Sequence, residues 1–226
     1  MNAVVMAAGG GTRLRPVTDR WPKPILPIDG RPVVVTLLHE LAAAGVERIT
    51  VVTGHLGSQI ERLVNGLPYP IRFAHQPELL GSADAVQRAE EEAPYLVSAA
   101  DTVYRRGDLR RFAEAFEAGG AAGALAIRRQ DGRPDYTFIG VAGGRVVRVS
   151  DPGSASGYSA APLWGVAEPV AARIRGPLPG KAPFELAGVF QEAIDAGELV
   201  AAIEVGPTRD LTAAQDLVVE NFPYLR

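Results

Sequence analysis

Residues 7–27 of the chain read AAGGGTRLRPVTDRWPKPILP, a stretch that joins consecutive glycines to fixed positive charge. A short apolar strand leads into the glycines, and Arg13 and Lys23 follow them. Glycines let backbone N–H groups wrap a polyphosphate, because no Cβ blocks the approach or restricts φ. Guanidinium and ammonium groups add positive charge at the phosphate oxygens. The spacing therefore predicts a polyphosphate site in the loop after the first strand.

The same residues exclude two better-known phosphate motifs. The G-x-x-x-x-G-K-[ST] spacing of the P-loop is absent. The spacing Gly9-x-Gly11-x-x-Leu14 lacks the third small residue of the dinucleotide fingerprint, and Pro16 and Pro22 prevent a long helix from starting at that turn. The stretch indicates a nucleotide site of another kind.

A longer, mixed pattern runs through the stretch and consists of Thr12, Arg13, Leu14, Pro16, Thr18, Pro22, Lys23 and Pro24. This pattern resembles the signature of the nucleotide-sugar pyrophosphorylase family, the sugar-1-phosphate nucleotidyltransferases, in the short form without a C-terminal β-helix. The resemblance implies two catalytic cations, Arg13 on the β- and γ-phosphates and Lys23 on the α-phosphate. The triphosphate-binding backbone that it implies is formed by Ala8, Gly9, Gly10, Gly11 and Thr12.

Composition narrows the class of protein. The 226 residues are 47% hydrophobic, which is enough for one sizeable core. The net charge is −3 without a basic run, which argues against a nucleic-acid partner. The absence of cysteine excludes disulfides and thiolate chemistry. No apolar run approaches about 18 residues and no charged leader precedes the first strand, so we expect a soluble, cytoplasmic protein without a membrane partner.

Hydrophobic patterns in the first half alternate between strands and helices. The predicted strands are residues 3–6, 49–52, 71–74 and 95–100. The predicted helices run from Pro32 towards Gly45, around residues 60–64, and over residues 82–93. This alternation predicts an α/β fold of Rossmann-like type, with a mixed, mainly parallel sheet and helices on both faces. In such sheets ligands bind beyond the carboxyl ends of the strands, where the glycine loop falls.

The second half is richer in strands. We predict strands at residues 121–128, 136–141, 145–149, 158–166 and 199–205, with Gly143 and Gly144 as a hairpin turn. Two predicted helices cover residues 183–196 and 210–221, and Asp210 suits the N-cap of the second. No linker divides the halves. We therefore interpret residues 1–226 as one domain, with a nucleotide-binding half to about residue 120 and an acceptor-binding half after it.

Two carboxylates are candidate ligands for Mg²⁺. Asp101 ends a predicted strand opposite the glycine loop, and Mg²⁺ prefers oxygen ligands together with substrate phosphates. The resemblance supports Asp101, since the family carries a metal-binding Asp there, although its usual preceding Gly is Ala100 here. The second family carboxylate corresponds to Glu204, in the turn Glu204-Val205-Gly206-Pro207-Thr208, with Asp210 as the less favoured alternative.

The segment from Gln76 to Ala83 resembles the part of the family that binds the nucleobase. A Gln amide offers a donor and an acceptor, which match the N3–H and O4 edge of uracil or thymine. The Gly81 backbone can approach the same ring, and the spacing from Gln76 to Gly81 resembles that of uridylyl- and thymidylyltransferases.

The acceptor side matches the family less well. The resemblance implies that Gly140 and Glu185 bind the sugar. The family's Glu-Lys-Pro, whose Lys binds the sugar phosphate, is Ser150-Asp151-Pro152 here, and its Asn-x-Gly near residues 159–161 is missing. The acceptor site therefore departs from the family pattern.

We expect a nucleotidyltransferase that moves a nucleotidyl group from an NTP, with UTP or dTTP favoured, to a sugar 1-phosphate. The products are an NDP-sugar and pyrophosphate. Two alternatives stay open: an acceptor such as phosphocholine or N-acetylmuramate 1-phosphate, or a nucleotide-sensing protein without turnover. The oligomeric state, homo-oligomers included, is left open by the sequence.

Overall fold

The computed structural model describes residues 1–129, 137–150, 156–222 and 224. Its strands are β1 (Asn2–Ala7), β2 (Pro27–Ile28), β3 (Arg31–Pro32), β4 (Ile49–Thr53), β5 (Ile71–His75), β6 (Tyr95–Ala99), β7 (Thr102–Val103), β8 (Gly123–Arg129), β9 (Gly140–Ala142), β10 (Arg145–Arg148), β11 (Tyr158–Val166), β12 (Val200–Glu204) and β13 (Arg209–Asp210). Its helices are α1 (Val33–Ala43), α2 (Gly57–Val64), α3 (Ser82–Arg88), α4 (Asp108–Gly119), α5 (Glu168–Arg175), α6 (Leu186–Asp195) and α7 (Ala214–Asn221). The predicted alternation of strands and helices in the first half is confirmed.

One nine-stranded sheet, in the order β5-β4-β1-β6-β11-β8-β12-β10-β9, takes strands from both halves of the chain. The pairs β5–β4, β4–β1, β1–β6 and β8–β12 are parallel, and the remaining pairs are antiparallel. These pairings mean that β10 and β11 run antiparallel to the other seven strands of the sheet. The prediction of a mixed, mainly parallel sheet is confirmed.

Helices cover both faces of the sheet, as the sequence predicts. Alternate residues of β1 point to opposite faces, so that Ala3, Val5 and Ala7 lie in one apolar cluster and Val4 lies in the other. The first cluster includes side chains of α1, α2 and α4, and the second includes side chains of α3, α5 and α6. No helix in the described ranges has both the length and the apolar composition that crossing a membrane requires.

The parallel strands β1, β4, β5 and β6 bring their carboxyl ends to one edge of the sheet. The loops that follow these strands begin at Ala8, Gly54, Gln76 and Ala100. The residues that the sequence analysis assigns to phosphate and base, and the metal candidate Asp101, lie in these loops, at an edge that we call the carboxyl edge.

A buried carboxylate stabilises the opposite, amino edge. Glu91 accepts hydrogen bonds from Asn2 Nδ2 at 2.8 Å, Arg48 Nη2 at 2.6 Å and Thr50 Oγ1 at 2.9 Å. These partners stand at the beginnings of β1 and β4, so a single side chain ties the two strands together. Burial by itself would raise the pKa of Glu91, but the hydrogen bonds from these three residues and the charge of Arg48 outweigh it, and the pKa is lowered.

The same carboxylate explains why α3 is shorter than predicted. The sequence predicts a helix over residues 82–93, whereas α3 ends at Arg88 and Glu90 adopts a positive φ of 47°. The chain leaves the helix there and turns Glu91 inward to its polar partners. A buried, charged hydrogen-bond network outweighs the helical propensity of the Glu90-Glu91-Glu92 run.

One further prediction of the second half is wrong, and one helix there was not predicted. Asp210 is not the N-cap of α7, because it pairs with Thr102 in the short β13–β7 ladder. The capping carboxylate is Asp216, whose Oδ2 accepts from Thr212 N at 2.6 Å and Ala213 N at 2.7 Å.

The helix α5 was missed by the sequence analysis. The Gly143-Gly144 hairpin is confirmed between β9 and β10, while Tyr136 and Asp151 lie outside the described residues.

We predict that Glu91→Gln lowers the free energy of unfolding at pH 7 by about 1–3 kcal/mol, because Asn2, Arg48 and Thr50 lose an ionised acceptor. The pKa of Glu91 is lower in the folded than in the unfolded chain, so its stabilisation is present above about pH 4.5 and is lost as pH falls through the folded pKa. Urea unfolding of the variant and the parent at pH 7 and at pH 3 measures both effects.

The exposed neighbour Glu92 provides the control for this prediction, and Glu92→Gln should leave the free energy of unfolding almost unchanged. An equal loss of stability for Glu91→Gln at both pH values would contradict a role for the ionised carboxylate.

Candidate active site

A pocket of about 430 Å³ opens at the carboxyl edge of the sheet. It brings together most of the residues that the sequence analysis selected for chemistry. The selected residues that line it are Ala8, Gly9, Gly10, Gly11, Thr12, Arg13, Lys23, Gln76, Gly81, Asp101 and Glu185. Loops after β1, β5 and β6 and the segment before α6 supply these residues, so one pocket collects groups that are distant in sequence.

The glycine loop presents unpaired backbone donors to this pocket. In the described part of the chain, no residue accepts a hydrogen bond from the N–H groups of Gly9–Thr12. Gly11 has a φ of 59°, and a Cβ there would lie 2.9 Å from Thr18 Cγ2, so the position favours glycine. Thr18 Oγ1 donates to Gly11 O at 2.9 Å and fixes the loop from behind. Such a row of free N–H groups is suited to binding an anion.

His55 supports the loop from a neighbouring strand connection. Its Nε2 lies 3.0 Å from Thr18 O, within hydrogen-bond distance, and its backbone N–H donates to Ala8 O at 3.4 Å. These contacts give His55 a structural role in holding the loop.

Lys23 and Asp101 form an ion pair inside the pocket. Lys23 Nζ lies 2.5 Å from Asp101 Oδ2, and the side chains are 14% and 29% exposed. The two residues come from the loop after β1 and the turn after β6, on adjacent parallel strands. The pairing places a cation and a carboxylate where the sequence analysis expected an α-phosphate contact and a metal ligand.

Arg13 is the exposed cation of the pocket. It makes no ion pair with any residue in the described ranges, whereas Arg15 of the same loop pairs with Asp19 at 3.2 Å. Arg13 lines the pocket and Arg15 does not. The guanidinium of Arg13 is therefore available to an anionic ligand.

Gln76 follows β5 and is almost completely buried beside the pocket. Its Nε2 donates to Gly81 O at 2.9 Å and to Asp84 Oδ2 at 2.8 Å. Asp84 also accepts from Arg88 Nε at 2.8 Å. Burial by itself would raise the pKa of Asp84, but the bonds from Arg88 and Gln76 outweigh it and lower the pKa.

Close backbone contacts join the predicted base segment to the predicted acceptor segment. Gly81 has a φ of 103°, and a Cβ there would lie 2.2 Å from Phe184 O, so only glycine fits. Phe184 N donates to Leu80 O at 2.7 Å, and Ala83 N donates to Phe184 O at 2.8 Å. Ser82 adds a link, since its hydroxyl donates to the Glu185 carboxylate and accepts from Leu186 N at 2.9 Å.

Two predicted site residues lie away from the pocket. Gly140 is on β9, the strand at the far edge of the sheet from β5, and packs against Arg148. Glu204 ends β12, but its Oε1 accepts from Arg129 Nε at 3.0 Å and its Oε2 from Tyr158 OH at 3.4 Å. Neither residue lines the pocket, so the roles in sugar and metal binding stay predictions.

The other lining residues were given no individual role by the sequence analysis, although Leu14 and Pro24 belong to its signature and the Gln76–Ala83 segment includes Leu79 and Ser82. They are apolar or small, apart from Ser82 and Thr212, and comprise Met6, Ala7, Leu14, Pro24, Leu79, Ser82, Ala85, Ala99, Pro183, Leu211 and Thr212. Ser82 had a usable signal, because it follows a glycine at a predicted helix start. Leu211 and Thr212 reach the pocket through the β13–β7 pairing, for which two-residue strands give no sequence signal.

The carboxylate of Asp101 suits a divalent cation, since it already attracts a positive charge in the Lys23 pair. No group of three or more His, Cys, Asp or Glu side chains that could hold a metal occurs among the described residues. This arrangement fits Mg²⁺, which is commonly bound by one or two carboxylates and completed by substrate phosphates and water.

Curated proteins of known activity match parts of the chain. The chain is 50% identical over 58 residues to the 2-aminoethylphosphonate cytidylyltransferase of Lancefieldella rimae, a match that covers 26% of this chain and 24% of that protein. It is 34% identical over 143 residues to the UTP–glucose-1-phosphate uridylyltransferase AglF of Haloferax volcanii, covering 62% and 53%. The matches therefore span about a quarter and about half of these relatives' own lengths.

The fold matches a solved structure over almost its whole length. The inositol-1-phosphate CTP transferase of T. maritima superposes with a TM-score of 0.82 at 22% identity, covering 95% of this chain and 90% of that one. Residues 3–175, which include the glycine loop, the Lys23–Asp101 pair and the Gln76 segment, match the model of the MobA-like NTP transferase domain. The chain belongs to the family of MobA-like NTP transferase domains.

Proposed function

We propose that this protein transfers a nucleotidyl group from a nucleoside triphosphate, with UTP or dTTP favoured, to a sugar 1-phosphate. A phosphate oxygen of the acceptor forms a bond to the α-phosphorus, the bond from that phosphorus to the bridging oxygen of the β-phosphate breaks, and pyrophosphate leaves. The observation that carries the proposal is one pocket lined by Gly9–Thr12, by Arg13 and by the Lys23–Asp101 pair, in which no described residue accepts from the N–H groups of Gly9–Thr12.

The described groups of the pocket can supply positioning and charge stabilisation. The N–H groups of the glycine loop and the guanidinium of Arg13 bind the β- and γ-phosphates, which become the leaving group. Lys23 stabilises the charge that develops on the α-phosphate. The attacking phosphate oxygen is already anionic, so no general base is required and catalysis rests on orientation and electrostatics.

Mg²⁺ is the proposed cofactor, with Asp101 as its protein ligand and Glu204 as the predicted second one. When bound, it would neutralise negative charge on the phosphate oxygens. Both carboxylates are paired with a cation, Asp101 with Lys23 and Glu204 with Arg129. Asp101 lines the pocket and Glu204 does not, so Glu204 would have to move to reach the cation.

A second candidate acceptor is a small phosphonate or phosphoalcohol used with CTP. Two observations favour it. The family's sugar-phosphate lysine is replaced by Asp151, and one relative is a 2-aminoethylphosphonate cytidylyltransferase. The N–H groups of the glycine loop and Lys23 would act identically on this substrate pair, so the mechanism does not depend on the acceptor.

Pyrophosphate release separates these candidates. The full chain is incubated with Mg²⁺ and each combination of UTP, dTTP, CTP, GTP and ATP with glucose 1-phosphate, N-acetylmuramate 1-phosphate, phosphocholine or 2-aminoethylphosphonate. We expect release with UTP or dTTP and a sugar 1-phosphate. Release with CTP and a phosphonate would establish the second candidate. Nucleotide binding without release from any pair would establish a nucleotide sensor and contradict the proposal.

We predict that Lys23→Ala lowers kcat by about a hundredfold or more, as expected for losing one preorganised group at the reacting phosphate. The measurement is the initial rate of pyrophosphate release at saturating substrates. Arg15→Ala is the matched control, because Arg15 belongs to the same loop but does not line the pocket. Near-normal turnover by the Lys23 variant would refute its assigned role.

We predict that Asp101→Asn weakens Mg²⁺ activation by about tenfold or more, since even the partners of metal ligands have effects of that size. The Mg²⁺ concentration for half-maximal rate and calorimetric binding of Mg²⁺ with UTP present both report it. Asp19→Asn, which changes an exposed carboxylate of the glycine loop, should leave both values unchanged. Unaltered Mg²⁺ dependence in the Asp101 variant would exclude it as a ligand.

A further inference from the structure

The side-chain amide of Gln76 is held in one orientation by its neighbours, and its meaning for base choice rests on the proposed function. Both N–H groups of this amide are used inside the protein, one by Gly81 O at 2.9 Å and one by Asp84 Oδ2 at 2.8 Å. A glutamine that binds a nucleobase can ordinarily present either its NH₂ or its oxygen, according to the base. In this pocket that choice is removed before the nucleotide arrives.

The orientation of the amide follows from the chemistry of its two partners. Gly81 O is a backbone carbonyl and can only accept a hydrogen bond. Asp84 is paired with Arg88, which keeps it ionised at neutral pH, so it also can only accept. Rotating the amide by half a turn would place its oxygen beside two other acceptors, and both hydrogen bonds would be lost. The NH₂ group must therefore face Gly81 and Asp84.

The oxygen of the same amide faces the pocket. Within the described part of the chain, no residue donates to Gln76 Oε1. This oxygen is also not among the fully buried side-chain atoms that lack a hydrogen-bond partner, so a ligand can reach it. Gly81 also lines the pocket, and its N–H donates to no residue in those ranges. One acceptor and one donor are thus left for a base.

We infer that Asp84 is a positioning residue that sets nucleobase specificity, by fixing Gln76 as a hydrogen-bond acceptor and thereby selecting uracil or thymine over cytosine. Uracil and thymine carry a donor at N3 beside an acceptor at O4, which complements Gln76 Oε1 and Gly81 N–H. Asp84 itself does not touch the base and acts through the Gln76 amide.

Cytosine in the same position meets two mismatches. Its N3 carries a lone pair that would face Gln76 Oε1, and its N4 amino group would face Gly81 N–H. A free glutamine could turn its amide and donate to the cytosine N3. Here that turn would break two hydrogen bonds and bring the amide oxygen against the two acceptor oxygens of Gly81 and Asp84, so cytosine lacks the contact that uracil makes.

Calorimetric titration of the full chain with UTP and with CTP, both with Mg²⁺, tests the inference. The parent chain should bind UTP more tightly than CTP. The Asp84→Asn side chain can donate as well as accept, which lets Gln76 turn, so the ratio of the two Kd values should fall by about tenfold or more, the scale of one good base contact. Arg88→Gln, which loosens Asp84 without removing it, should lower the ratio less.

Asp108→Asn is the matched control. Asp108 is also a buried aspartate at a helix start that pairs with an arginine on the next turn, but it bonds to Gly206 N instead of Gln76. Its loss should affect both nucleotides equally. The Arg88 variant keeps the test decisive where Asp84→Asn does not fold.

Three results would overturn the inference. An equal loss of UTP and CTP affinity in Asp84→Asn and Arg88→Gln would make Asp84 purely structural. Tighter binding of CTP by the parent chain would reverse the assigned specificity, while nucleotidyl transfer would stand. Failure of any triphosphate to bind would remove the proposed function and the inference together. Selective UTP binding without pyrophosphate release would support the inference and contradict only the proposed function.

Discussion

The ion pair between Lys23 and Asp101 is the interaction on which the candidate site depends. It joins the loop after β1 to the turn after β6, two segments that meet only because their strands are adjacent and parallel. The pair gathers opposite charges at one point of the carboxyl edge, where a triphosphate and a divalent cation would later compete for them. Most of the other groups that line the pocket are uncharged, with Arg13 and Glu185 as the exceptions, so the pair is the main concentration of charge in the site.

A second constraint couples the two halves of the chain. The backbone of Phe184 bonds to Leu80 and Ala83, and its closeness to Gly81 excludes any side chain there. Glu185, the predicted acceptor ligand, bonds to Ser82 at the start of α3. The segments assigned to the base and to the acceptor therefore form one packed unit.

Local sequence was enough to predict the groups of the glycine loop, the order of strands and helices in the first half, and the edge at which Asp101 would meet that loop. These features depend on short-range patterns and on a general rule of parallel sheets. The early end of α3, the β13–β7 pairing and the direction of the Glu204 carboxylate depend on contacts with distant residues. Asp84 carried no recognisable signal, because its significance lies in a bond to Gln76 across a turn.

The most direct measurement is a crystal structure of the protein with a non-hydrolysable UTP analogue and Mg²⁺. We expect phosphate oxygens to accept hydrogen bonds from the N–H groups of Gly9–Thr12, the Lys23 ammonium to lie beside the α-phosphate, and Asp101 to coordinate the cation. A nucleotide bound elsewhere, or Lys23 turned away from an occupied pocket, would contradict the account.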